Sequence, residues 1–159
     1  MTGRALRILT HPLLSLVLRL YLSGVFIYAS LHKINFPAEF ADNIAGYLIV
    51  PYWLVNPLAV FMPWLELVCG LFLLAGVRVR AASLLIGGML IMFTLAVIVA
   101  LVQDTPIGCG CFQSVGEAIS WWTVLRDLVW LGMAAHIYRY DTLVHMDRLF
   151  MLKPEELGL

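Results

Sequence analysis

Two cysteines one glycine apart, in Gly108-Cys109-Gly110-Cys111-Phe112, are the residues of this chain best suited to chemistry. Thiols so close in sequence can pass between dithiol and disulfide where redox partners reach them. A one-residue spacer makes the ring closed by a Cys109 to Cys111 bond small and strained. Such a bond is easily reduced and suited to passing oxidation on, and Gly110 supplies the backbone freedom the ring needs. Two plainer readings stay open: small loop residues, or half of a metal site. No histidine or further cysteine adjoins the pair, so no metal is assigned. The loop from Gln103 to Ser120 contains Asp104 and Glu117 and no Lys or Arg. Thiol reactivity must therefore come from backbone amides, the start of the next helix or a folded neighbour. Cys69 stands alone in an apolar run and reads as a small packing residue.

A second set of candidates consists of charges inside apolar segments: Arg19, Glu66, Arg126 and Asp127. Each is costly in a bilayer, so each is expected to face the bundle interior, to be paired, and to serve either helix register or proton movement and quinone binding. Glu66 falls near the midplane and Arg126 about 7 to 10 Å below the outer surface, counting about 1.5 Å per residue. This predicts a Glu66 to Arg126 pair, with Arg19 as the alternative partner. Adjacent helical residues point about 100° apart, so Asp127 is expected to take another donor, such as His32 or Lys33. The four histidines show no ligand spacing.

The elements that must position these groups follow from composition. The chain of 159 residues is 62% hydrophobic and 13% charged, with a mean hydropathy of +0.93; soluble domains are roughly half apolar and a quarter charged. The pattern predicts an all-α membrane protein, a four-transmembrane-helix bundle forming one domain over residues 1–159. The first span, Leu13 to Leu31, is read as a retained anchor, because Arg19 interrupts it and Ser30-Leu31-His32-Lys33 makes a poor cleavage site. A short amphipathic, interfacial helix is expected between the first two spans, with Phe36, Phe40, Ile44, Tyr47 and Leu48 on one face and Glu39, Asp42 and Asn43 elsewhere. The second span runs from Trp53 to Val77, with a kink expected at Pro63. The third runs from Ala81 to Val102, with Gly87 and Gly88 permitting close packing. Ser120 is the expected N-cap of the fourth, and Trp121 and Trp122 an aromatic belt.

Charge placement orients the bundle. Outside the spans, Arg4, Arg7, Arg78, Arg80, Arg139, Arg148 and Lys153 fall on one side and Lys33 alone on the other. By the positive-inside rule both termini are cytoplasmic and the cysteine loop is periplasmic, in a multi-pass protein of the bacterial inner membrane. Nothing in the sequence has the form of a nucleic-acid motif, and the zero net charge conceals this ordered distribution.

The order of features over residues 16–138 resembles the DoxX-like superfamily of small four-helix membrane proteins, and especially its branch containing the methylamine-utilisation protein MauE. The matching pieces are Arg19 with Gly24, Lys33, Pro63-Trp64-Leu65-Glu66 with Gly70, Cys109-Gly110-Cys111-Phe112, and Arg126-Asp127-Leu128. Gln113 stands where that family usually has glycine. The resemblance implies a redox-associated membrane protein that helps to form or maintain disulfides in a periplasmic partner, or a membrane subunit of a quinone-linked oxidoreductase. The leading expectation is thiol-disulfide exchange through Cys109 and Cys111 with a periplasmic redox protein, the electrons passing to the quinone pool. The rival is a non-catalytic anchor or assembly subunit of a redox enzyme. A small transporter using Glu66 and Arg126 as an ion site is a third reading, which the lack of paired broken helices disfavours.

Overall fold

The structure is a computed structural model that describes residues 12–103 and 119–141. The described residues form five helices: α1 (Pro12–Asn35), α2 (Pro37–Gly46), α3 (Tyr52–Ala75), α4 (Val79–Val102) and α5 (Trp121–Tyr140). Three of them, α1, α3 and α4, are long and apolar enough to cross a membrane, which makes the chain a multi-pass membrane protein. At about 30 Å α5 has sufficient length, but Arg126, Asp127 and Arg139 make it less apolar.

The face that α1 buries is the opposite of a soluble helix's. Ser15, Arg19, Ser23, Ser30 and Lys33 are buried with Leu22 and Phe26, while Leu13, Val17, Tyr21, Tyr28 and Leu31 point outward. Where the surroundings are hydrocarbon, apolar side chains gain nothing by turning inward, and polar ones must find partners inside. Hydroxyls find them locally: Ser23 donates to Leu20 O at 2.8 Å, Ser30 to Ile27 O at 2.8 Å and Thr94 to Leu90 O at 2.7 Å.

Two antiparallel pairs make up the bundle, α1 with α3 and α4 with α5. Close approach in the first pair depends on Gly70. A Cβ there would lie 2.9 Å from Ile27 Cγ1 and 3.4 Å from both Ile27 N and Ser23 O. Gly87 and Gly88, the expected close-packing positions, do not serve this purpose: a Cβ at Gly87 would meet Leu131 at an ordinary 3.7 Å, and at Gly88 nothing within 4 Å. The α3 to α4 turn is tight because α3 ends in a Schellman arrangement. Gly76 adopts φ 72°, its N–H donates to Leu73 O and the Val77 N–H donates to Phe72 O. Pro57 and Pro63 both lie within α3, which continues through them.

Apolar packing between the pairs is split. One cluster, including Leu22, Leu73, Ile86 and Ile137, joins the four long helices. At the end carrying the starts of α3 and α5, a second cluster contains Tyr47, Val97, Ala100, Ile119 and Val124. At that end Tyr52, Trp53, Trp121 and Trp122 are all strongly exposed, the placement expected of an aromatic belt. Ser120 occupies the N-cap of α5, its backbone N–H donating to Thr123 Oγ1 at 3.4 Å.

Candidate functional site

Among the described residues, three ion pairs organise the interior. Lys33 Nζ donates to both Glu66 Oε1 and Oε2 at 2.8 Å, joining the end of α1 to the middle of α3. Arg126 Nε and Nη2 donate to Asp127 Oδ1 at 3.3 and 3.2 Å. Arg19 Nη1 donates to Asp141 Oδ2 at 2.9 Å, both side chains being almost wholly buried.

These partners correct the sequence-based pairing. Glu66 is held by Lys33 instead of Arg126 or Arg19, and Arg19 by Asp141, one residue beyond α5. Asp127 does face its neighbour. The Cα to Cβ directions diverge, but the long guanidinium stem of Arg126 curls round the helix, with its head 4.7 Å from the centre of the Trp130 ring one turn on. His32 lies 4.0 Å from Glu39 and beside Phe36. Arg19, Glu66, Arg126 and Asp127 are thus all in ion pairs, but Lys33, expected as a donor to Asp127, serves Glu66, and Asp141 had no place in the expected pairing. The burial of Lys33 could have been found, because it continues the polar stripe of Ser15, Arg19, Ser23 and Ser30 along one face of α1. Cys69 is buried at 2% exposure, one turn from Glu66.

Depth follows from helix register. Lys33 lies fourteen residues along α1 from Arg19, and Asp127 fourteen residues back along α5 from Asp141. Both are thus about 21 Å from the Arg19 to Asp141 pair, which brings Lys33, Glu66, Arg126 and Asp127 to one level. Beyond that level α1 ends within two residues, whereas α3 continues through fourteen more to Tyr52. This stagger of α1 against α3, a helix of the same length, leaves room between α3, α4 and α5.

That room is a cavity of about 660 Å³. Lys33, Glu66 and Asp127 are its charged lining residues; the lining continues below their level along Val25, Phe26 and Ala29 of α1, and its walls are almost entirely apolar, with Leu58 and Met62 from α3 and Phe93 and Ala96 from α4. Met92, Leu95 and Ile49 line it while remaining 51%, 58% and 47% exposed, which places its mouth at the lipid-facing side of α4. The segment over residues 37–51 covers it. Phe40, Asn43, Ile44 and Tyr47 line the cavity, Phe40 lies 4.9 Å from Lys33 Nζ, and Tyr47 meets Phe93 edge-on. The expected interfacial helix thus exists as α2, but it packs along α3. Asn43 shares its inner face, while Phe36 and Leu48 stay exposed.

Asp127 differs from the other charged residues of the lining. It is 1% exposed; Oδ1 receives both bonds from Arg126, and Oδ2 has no hydrogen-bond partner among the described residues. No group of three or more His, Cys, Asp or Glu residues able to hold a metal occurs among the described residues. Cys109 and Cys111 lie outside the described residues, as do Arg4, Arg7, Arg148 and Lys153. In sequence the cysteines fall between Gln103, which follows α4, and Ile119, which belongs to the same apolar cluster as the cavity-lining Tyr47.

Comparison with known proteins gives a consistent result. The family described as methylamine utilisation protein MauE matches residues 11–139. Among curated relatives, the methylamine utilization protein MauE of Methylophilus methylotrophus is 32% identical over 130 residues, 79% of this chain and 68% of that protein. That of Methylorubrum extorquens is 29% identical over 122 residues, 76% of this chain and 66% of the relative. The Paracoccus denitrificans protein is 27% identical over 131 residues, 81% and 70% respectively. The chain thus spans about two thirds of the length of these relatives. No solved structure matches.

Proposed function

We propose that this chain, which belongs to the MauE family of methylamine utilisation proteins, is an accessory membrane protein of methylamine utilisation that exchanges disulfides with a periplasmic partner through Cys109 and Cys111. In this reading α5 is the fourth span, both termini are cytoplasmic, and the cysteine loop faces the periplasm of a bacterial inner membrane. The kinship with the wider DoxX-like superfamily belongs to the same proposal.

The chemistry balances as two exchanges. A partner dithiol attacks the Cys109 to Cys111 disulfide through a mixed disulfide, leaving the partner oxidised and the pair as two thiols. A membrane quinone then takes two electrons and two protons from those thiols, restoring the disulfide and leaving as quinol. One pair serves both exchanges. The observation that supports this reading is the place of Ile119, the first described residue after the cysteines: it belongs to the same apolar cluster as Tyr47, which lines a lipid-facing cavity.

The test is the redox state of Cys109 and Cys111 in cells with and without quinone, read by a mass-tagged, membrane-impermeant maleimide before and after reduction. The pair is expected to be oxidised normally and to accumulate as thiols when quinone is absent. A pair that stays disulfide, or stays dithiol, whatever the quinone supply would replace this reading by that of a non-catalytic assembly subunit.

A further inference from the structure

We infer that the cavity between α3, α4 and α5 is a binding site for a neutral, hydroxyl-headed amphiphile that enters from the bilayer and donates its hydroxyl to Asp127 Oδ2. The inference rests on the quinone-linked reading above and deepens it: within that reading the bound molecule is the reduced, quinol form of the electron acceptor.

Three observations identify the ligand's chemistry. The walls are apolar and the mouth lies among lipid-facing side chains, so the ligand is delivered by the membrane and is mostly hydrocarbon or aromatic. A volume of about 660 Å³ falls within the roughly 300 to 1,000 Å³ typical of small-molecule sites. The charged residues that line the cavity already have partners, Lys33 and Glu66 in each other and Asp127 in Arg126. An anionic headgroup such as a phosphate or a fatty-acid carboxylate would find no uncompensated cation there and would meet the buried, unpartnered carboxylate oxygen of Asp127. A cationic head would suit that oxygen but would carry its own charge into an apolar chamber at large cost. A neutral head with an O–H donor satisfies Oδ2 without bringing in charge, and a buried carboxylate oxygen lacking a donor is the polar group most in need of one.

Discrimination between the two redox forms follows. A quinol presents a hydroxyl to Oδ2, whereas a quinone presents a carbonyl oxygen, which the carboxylate repels. Asp127→Asn, with its amide nitrogen in the place of Oδ2, reverses the demand. It offers a donor that welcomes the quinone carbonyl.

Binding is measured on the purified full chain in detergent, by quenching of the fluorescence of Trp130, which lines the cavity, on titration with a decyl-substituted benzoquinol and with its oxidised form. The native protein is expected to hold the quinol about tenfold or more tightly than the quinone, the usual worth of one hydrogen bond to a charged group. Asp127→Asn should abolish or invert that ratio. Ala96→Phe, which fills the chamber from α4, should weaken both forms while circular dichroism and gel filtration show an intact fold. Equal binding of both forms to native and Asp127→Asn protein, unchanged binding to Ala96→Phe, or displacement of the quinol by oleate or phosphatidylglycerol would each overturn the site. The Cys109→Ser, Cys111→Ser double variant separates this inference from the reading it rests on. It should bind quinol as the native chain does while losing exchange. If the site binds as stated but the cysteines never change redox state in cells, the electron route fails and the site stands. Cysteines that cycle with quinone while the cavity variants bind unchanged would give the reverse.

Discussion

Lys33 Nζ lies 2.8 Å from both carboxylate oxygens of Glu66, so the last turn of α1 is clamped to the middle of α3. Breaking one side of a buried pair leaves the other charge uncompensated, at a typical cost of about 3 to 5 kcal/mol. Lys33→Met or Glu66→Met alone should therefore lower the thermal unfolding midpoint in detergent sharply, whereas the double replacement should recover most of the loss. Equal destabilisation by the double variant would show that the clamp is not what fixes α1 against α3.

Gly70 and Gly24 offer a paired test of packing. A Cβ at Gly70 would lie 2.9 Å from Ile27 Cγ1, and one at Gly24 has nothing within 4 Å. Gly70→Ala should destabilise by about 1 to 3 kcal/mol, as overpacking does. Gly24→Ala should be neutral, or stabilising by up to about 1 kcal/mol through helix propensity. Thermal unfolding of the two variants side by side checks this.

Thiol labelling should divide the three cysteines. Cys69 is 2% exposed inside α3, so an impermeant maleimide should not reach it in intact cells, while it should label Cys109 and Cys111 after reduction. Cys69→Ala should leave exchange unchanged, and Cys109→Ser or Cys111→Ser should abolish it. Loss of exchange in Cys69→Ala would bring that thiol into the mechanism.

Arg19 and Asp141 should tolerate exchange better than removal. Asp141→Leu leaves a guanidinium almost wholly buried in α1 without this carboxylate, and steady-state abundance in membranes should fall several-fold, the usual consequence of a loss of one to two kcal/mol or more. The swap Arg19→Asp with Asp141→Arg should restore part of it. Abundance that responds only to Arg19 and not to Asp141 would contradict the pairing.

Much of this architecture was legible before the structure. Apolar runs between Pro, Gly and charged residues located α1, α3 and α4, because a span needs about 20 apolar residues and little else in a sequence looks like that. Phe40, Ile44 and Tyr47 marked the inner face of α2 by helical spacing. What the sequence withheld was depth. Lys33 reads as a surface cation closing a span, and only the register of α1 against Gly70 of α3 shows that it ends far below the start of α3. Asp141 reads as the beginning of a tail, and the Arg126 to Asp127 contact is hidden by a periodicity rule that describes Cβ directions and not the reach of a long side chain. The cavity was not legible at all, since it arises from the axial stagger of α1 against α3, two helices of equal length.

The pairing of Arg19 with Asp141 also sets a clock on synthesis. The two residues are 122 positions apart, so at roughly 5 to 20 residues per second α1 waits about 6 to 24 seconds for the carboxylate that follows α5. Until then the nascent chain carries a guanidinium in an apolar helix without its eventual counter-ion. A chain cut short anywhere before Asp141 keeps that mark permanently, a chemical label by which unfinished copies differ from complete ones.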